Sequence, residues 1–184
     1  MENILKRAAG FGIVLSPGQA SKVFAEIEEK KRKGFQFTAA DASLRLIMMR
    51  CQENYCRPFE LFSWRVISEG IIGVSRADDA TVRISVNGKN FLMVGSGNGP
   101  VNALDKAIRE VFKSTFPKLE NVKLTDWKPR VLSGEKGTAA TVRTLLDFSN
   151  GVQEWTTVGC STDSIEADLQ ALLDGYEYAI LRAF

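Results

Sequence analysis

The spacing of apolar residues along the chain changes character at Pro58. Before it the period is helical. Ala20, Val23, Phe24 and Ile27 stand at i, i+3, i+4 and i+7, one stripe of an amphipathic helix. Ser16-Pro17 marks its start, with serine as N-cap and proline at the first helical position. The charged run Glu28 to Lys33 suits a solvated helix C-terminus, and Gly34 is its C′ glycine. The same spacing predicts a second helix from Thr38, with Asp41 three residues on as a capping box, carrying Leu44, Ile47, Met48 and Cys51. A shorter helix is expected over Asn3 to Ala9.

After Pro58 the period falls to two. Phe59 to Ile67 is a predicted strand with Phe62, Trp64 and Val66 on one face. Glu69 to Asp79 reads as a loop. Ala80 to Val86 and Asn90 to Gly95 flank Asn87-Gly88, the pair that supplies the positive φ angles of a type I′ hairpin turn. Gly95-Ser-Gly-Asn-Gly-Pro100 then leads into a helix from Val101 to Lys113, with Leu104, Ala107, Ile108 and Val111 on one side.

The pattern then recurs. Residues 121–132 read as a strand whose Pro129 argues for an edge or a bulge. Residues 139–147 and 152–159 form a second hairpin about Ser149-Asn150-Gly151, and a helix follows from Ser164 to Ile180. The letters repeat as well. Ala-Thr-Val-Arg stands at 80–83 and at 140–143, Val94-Gly95 matches Val158-Gly159, and Ala103 matches Ala167. The first match is 60 positions apart and the others 64, which places four extra residues in the second hairpin loop. The expected fold class is therefore α+β: a helical linker subdomain over 1–57, then a tandem βββα duplication over 58–184, split into 58–117 and 118–184. A three-stranded sheet with a helix on one face leaves its other face to be buried against its twin or a second chain, so a homodimer is expected. Trp64, Trp127 and Trp155 fall on strands, as core or interface anchors.

Composition narrows the chemistry. Among 184 residues there is no histidine, which removes a histidine general base, a Ser-His-Asp or Cys-His pair and every histidine metal site. With 24 Lys+Arg against 22 Asp+Glu, no strong field points to a polyanion. The longest charge-free runs, Ala8 to Ser21 and Asn90 to Leu104, are too short to span a bilayer and contain Gly and Pro. No membrane association is expected, and the location expected is cytoplasmic. Cys51, Cys56 and Cys160 lack the spacing of a zinc site and read as reduced, packing thiols.

One segment looks chosen for chemistry: Gly97-Asn98-Gly99-Pro100, between a strand and a helix. Glycines let backbone approach a ligand, and a helix N-terminus offers N–H groups to a phosphate or carboxylate. Valine at Gly99 is expected to fill the space such a ligand needs and to resist any positive φ the loop requires. The spacing is not the dinucleotide fingerprint G-x-G-x-x-G. The second copy, Gly159 to Ser164, has Asp163 or Ser164 as a cap and reads as structural. Asp126, Asp147 and Asp163 form no catalytic pair by spacing, so an independent carboxylate enzyme is a weak alternative. The α-β-β-β-α order is shared with double-stranded RNA-binding domains, but the helix starts here are neutral and acidic, so no nucleic-acid partner is expected.

Four ordered motifs carry a resemblance. Gly97 to Arg109, Leu124-Thr-Asp-Trp-Lys-Pro-Arg-Val-Leu132, Gly137-Thr-Ala-Ala-Thr-Val-Arg143, and Trp155-Thr-Thr-Val-Gly159 followed by Ser164-Ile-Glu-Ala167 resemble the C-terminal regulatory (dimerisation) domain of the 2-isopropylmalate synthase and citramalate synthase family. Gly34-Phe-Gln-Phe and Ala39-Ala-Asp-Ala-Ser43 resemble the linker subdomain before it. The resemblance implies a dimerising domain that binds the end-product amino acid and inhibits a distant TIM barrel. That barrel, with its divalent metal and acetyl-CoA, has no counterpart in this chain, so the chain is expected to be part of a longer acyltransferase and inactive alone. No cofactor is expected here. The effector contacts implied are Gly97, Asn98, Gly99, Val101 and Asn102; Leu124, Asp126, Trp127 and Val131; and Gly137, Thr138, Ala139 and Ala140. Trp127 stands where the family pattern has tyrosine. The loop from Gly137 and the Trp-x-Thr-Val-Gly strand are closer to the citramalate type, which implies isoleucine as effector; the isopropylmalate type, with leucine, is the alternative.

Overall fold

A computed structural model describes residues 2–70, 72, 77–132 and 134–182. Its elements run α1 (Glu2–Gly10), α2 (Pro17–Arg32), α3 (Asp41–Arg50), β1 (Phe59–Glu69), β2 (Ala77–Val86), β3 (Lys89–Gly97), α4 (Pro100–Thr115), β4 (Lys123–Val131), β5 (Val142–Ser149), β6 (Glu154–Ser161) and α5 (Ser164–Leu181). Two antiparallel sheets, in the orders β1-β2-β3 and β4-β5-β6, each run into a helix, which is the expected duplicated βββα arrangement. Part of the loop expected between β1 and β2 lies outside the described residues.

The chain divides into two compact units: residues 1–57 with 123–178, and residues 58–122 with 179–184. In the second of these, α4 covers the sheet through Leu104, Ala107, Ile108, Val111 and Phe112, over Ala80, Val82, Ile84 and Val86 of β2. Each fully buried aliphatic side chain of this size contributes roughly 1.5–3 kcal/mol. Phe59 joins them, its ring 5.0 Å from that of Phe112. Asn87 (φ 51°) and Gly88 (φ 76°) make the turn the sequence calls for.

A bulge corrects the expected face of β1. Leu61 sits opposite Ile84, but Ser63 sits opposite Arg83, so Phe62 is an extra residue. This extra residue lets Phe59 and Leu61 share a face with Trp64 and Val66. Phe62 itself is 57% exposed rather than aligned with Trp64.

In the first unit the second repeat is built the same way, with a bulge between Leu124 and Asp126. Phe148 stacks on Trp155 at 5.8 Å and meets Tyr176 edge-on at 6.0 Å. Pro129 lies on β4, an edge strand, where its missing N–H costs no ladder bond. Here the outer sheet face is covered. Ala20, Val23 and Ile27 of α2 and Leu44, Ile47 and Met48 of α3 form one apolar cluster with Val158 of β6, with Leu145 packed against it. Ser16 caps α2 in a full capping box with Gln19, and Gly34 (φ 101°) ends it. The second helix starts at Asp41, not Thr38; its N-cap, Ala40, has no side chain able to cap it. Polar anchors hold α3 to α5. Arg50 Nε and Nη2 donate to Glu177 at 2.9 and 2.7 Å, and Nη2 to Asp174 at 2.6 Å. Burial disfavours the Arg50 charge, but Asp174 and Glu177 outweigh it and hold its pKa above the ordinary arginine value. Tyr55 donates to Glu177 at 2.7 Å. Burial, then that carboxylate, push the Tyr55 phenol up to about 12.

Strand pairing also corrects the repeat offset. Ala80 pairs with Gly95, and Thr144 with Gly159, so the 64-residue offset already holds in the middle strand. The Ala-Thr-Val-Arg echo is out of register by four. Nor is the second hairpin longer. Val86 pairs with Lys89 across two residues, and the Asn150 N–H donates to the Gln153 carbonyl at 3.2 Å across two as well.

Candidate functional site

The effector residues implied by the resemblance fall into two groups, one in each compact unit. The first group is the β3–α4 loop. Gly95 and Gly97 are there for packing. A Cβ on Gly95 would run into the Ala103 carbonyl and the Ala107 nitrogen, and one on Gly97 would lie 2.5 Å from the Ala103 nitrogen. They let α4 lie directly on β3. Gly99 is different: it is the N-cap of α4 at φ −177°, ψ 168°, with nothing within 4 Å of a built Cβ. This is extended backbone open to any residue, so the expected positive φ is absent and only the open space remains.

Asn98 is exposed, and its N–H donates to Asn102 Oδ1 at 3.3 Å. Val101 and Asn102 are half-buried in the first turn of α4. No side chain caps that helix. In the second repeat, Asp163 Oδ1 accepts from the Ile165 and Glu166 N–H groups at 2.9 and 3.3 Å. The expected asymmetry is therefore present: one helix start is closed by its own carboxylate and the other is not.

The second group lies on β4 and the segment before β5. Register places Leu124, Trp127 and Val131 on the α5 side of the sheet, the bulge falling between Leu124 and Trp127. Trp127 is 49% and Val131 55% exposed. Asp126 is not among them. It points to the opposite face, where Lys128 Nζ lies 2.9 Å from Asp126 Oδ2 and 2.5 Å from Asp147 Oδ2. The bond from Lys128 is the main reason the Asp126 carboxyl stays below its usual range. Gly137 takes a left-handed φ of 55° inside the short 3-10 stretch Gly134–Ala139. The Ala140 N–H donates to the Gly137 carbonyl at 3.1 Å. Thr138 and Ala139 are exposed and Ala140 buried.

One residue of this neighbourhood was not singled out from the sequence. Trp127 Nε1 donates to Asp168 Oδ1 of α5 at 2.9 Å. Asp168 is 5% exposed. Burial pushes its carboxyl up, opposed by the hydrogen bond from Trp127. An acid on the apolar stripe of the last helix was the available signal.

Burial raises the Cys51 and Cys160 thiols, the opposite of activation. Among the described residues no three His, Cys, Asp or Glu side chains converge on a possible metal site, and no helix is long and apolar enough to cross a membrane.

The architecture is a doubled βββα frame with one uncapped and one capped helix start. Residues 38–180 match the family described as the LeuA allosteric (dimerisation) domain, and the chain belongs to that family. It is similar to the (R)-citramalate synthase of Streptomyces coelicolor, 40% identical over 165 residues, covering 88% of this chain and 30% of that protein. The (R)-citramalate synthases of Synechocystis sp. and Geobacter sulfurreducens are each 37% identical over 186 residues, covering 98% and 97% of the chain and 34% of each relative. The chain thus spans about a third of the length of these curated relatives.

Proposed function

We propose that this chain is the isoleucine-sensing, homodimeric regulatory region of a cytoplasmic citramalate synthase, an acyltransferase joining acetyl-CoA to pyruvate. The observation that carries this is the citramalate synthase name shared by these relatives, at 37–40% identity over most of the chain. Acetyl-CoA and the divalent metal belong to the catalytic barrel of such an enzyme. This chain's part is recognition. The uncapped start of α4, from Asn98 to Asn102, offers N–H donors to a carboxylate. In the other compact unit, taken by itself, Leu124, Trp127 and Val131 form an apolar face of the kind a branched side chain needs. Gly137 to Ala140 complete the implied set.

Thermal scans test it. Ligand at about 100 times its dissociation constant stabilises the folded state by roughly 2.7 kcal/mol, a rise of very roughly 5–10 °C for a domain of this size. Isoleucine is expected to bind up to about tenfold better than leucine. Gly99→Val is expected to abolish the rise while leaving the unliganded melting temperature unchanged, because its backbone angles suit valine and the space is open. Flat responses to both amino acids overturn the reading; a leucine preference moves it to the isopropylmalate type.

A further inference from the structure

The two repeats serve as controls for one another, and one difference between them is chemical. Trp64 and Trp127 stand at the same place, two residues past the bulge in the first strand, opposite Val82 and Leu146. The middle strand sets Ala80 opposite Gly95 in the first repeat and Thr144 opposite Gly159 in the second. The helix closes on those glycines through Ala103 and Ala167. The next helix residue is Leu104 in one repeat and Asp168 in the other. A position fully apolar in the first repeat thus carries a buried hydroxyl and a buried carboxyl in the second. Exposure is 0% for Ala80, Leu104 and Thr144 and 5% for Asp168.

The frame does not need the acid, since leucine fills the same place 64 residues earlier. Burying a carboxyl works against folding unless its bonds repay it. What the acid adds is a fixed tryptophan. Trp127 is on an edge strand and half exposed, where water could serve its N–H and the ring could change rotamer. The 2.9 Å bond to Asp168 holds the indole in one orientation.

We infer that Asp168 is the positioning residue of the effector site, holding the Trp127 indole as the wall against which the effector's branched side chain is read. This rests on the effector site proposed above. A fixed wall can distinguish the position of one methyl group; a mobile one yields to either isomer.

The test uses the whole 184-residue chain, with isoleucine and leucine titrated calorimetrically. Asp168→Leu, the first repeat's own solution, is expected to melt no lower than wild type without ligand. It should bind isoleucine at least tenfold more weakly and lose most of the preference between the isomers. Asp168→Asn keeps an acceptor oxygen for the indole and is expected to restore both affinity and preference. The Trp127 indole ¹⁵N–¹H resonance should move in Asp168→Leu and stay in Asp168→Asn. Trp127→Phe, which leaves the buried position alone, should give the same loss, and the Asp168→Leu/Trp127→Phe double variant no more. Wild-type binding by Asp168→Leu overturns the inference. Equal loss in Asp168→Asn also overturns it, in favour of a direct contact between the carboxylate charge and the ligand ammonium. A wild type blind to both amino acids overturns the effector site, and this inference with it.

Discussion

The first and second repeats share a strand order, a bulge, a helix-closing glycine and a tryptophan, yet one outer sheet face is bare and the other covered. Val94 and Val158 occupy the same register in the two third strands; Val94 is 62% exposed and Val158 1%. In the first repeat Phe62, Ile67 and Leu92 are exposed beside Val94. In the second, α2 and α3 lie over the sheet. The same supersecondary unit thus meets different surroundings through substitutions outside its shared frame.

The sharpest test of that contrast is a matched pair. Val158→Lys places an unpaired charge in the apolar cluster and should cost several kcal/mol. Val94→Lys should change stability by no more than about 0.5 kcal/mol. Urea titrations of both in dilute solution check this; equal costs would break the comparison. Arg50→Ala comes next. It leaves Glu177, 1% exposed, and Asp174 without their guanidinium, an expected loss of about 3–5 kcal/mol. Hydrogen exchange should quicken in α3 and α5 and stay unchanged in β2 and α4. The smallest effect concerns Asp168, whose carboxyl is raised in the folded state, first by burial. The stability its protonated form contributes is present below the unfolded carboxylate pKa, about 4, and is lost as pH climbs through the folded value. Asp168→Asn has no such titration. Its melting temperature relative to wild type should therefore be least favourable near pH 4 and improve toward neutrality.

Element types were legible because period and punctuation agreed. Ser16-Pro17 and Asn87-Gly88 specify their geometry locally, and the structure has it. The bulge at Phe62 was hidden because alternation assumes an unbroken register, and one extra residue reverses every side chain beyond it. The Ala-Thr-Val-Arg echo misled because identical letters need not occupy paired positions; hydrogen-bond register decides equivalence. In the candidate site, the open Gly99 was visible as a glycine, but nothing local separates it from Gly95 and Gly97, whose demand comes from a helix lying across them. Asp168 was missed because its partner, Trp127, is 41 residues away.

The Arg50–Glu177 clamp joins residues 127 positions apart. At a ribosomal pace of about 5–20 residues per second, α3 waits roughly 6–25 s after synthesis for the helix that anchors it. For most of that interval Leu44, Ile47 and Met48 lack the strand residue Val158 that later packs with them. The first repeat draws every strand and its helix from one continuous stretch and closes as soon as α4 emerges. The first repeat can therefore pair its strands and seat α4 while α3 still lacks its anchor.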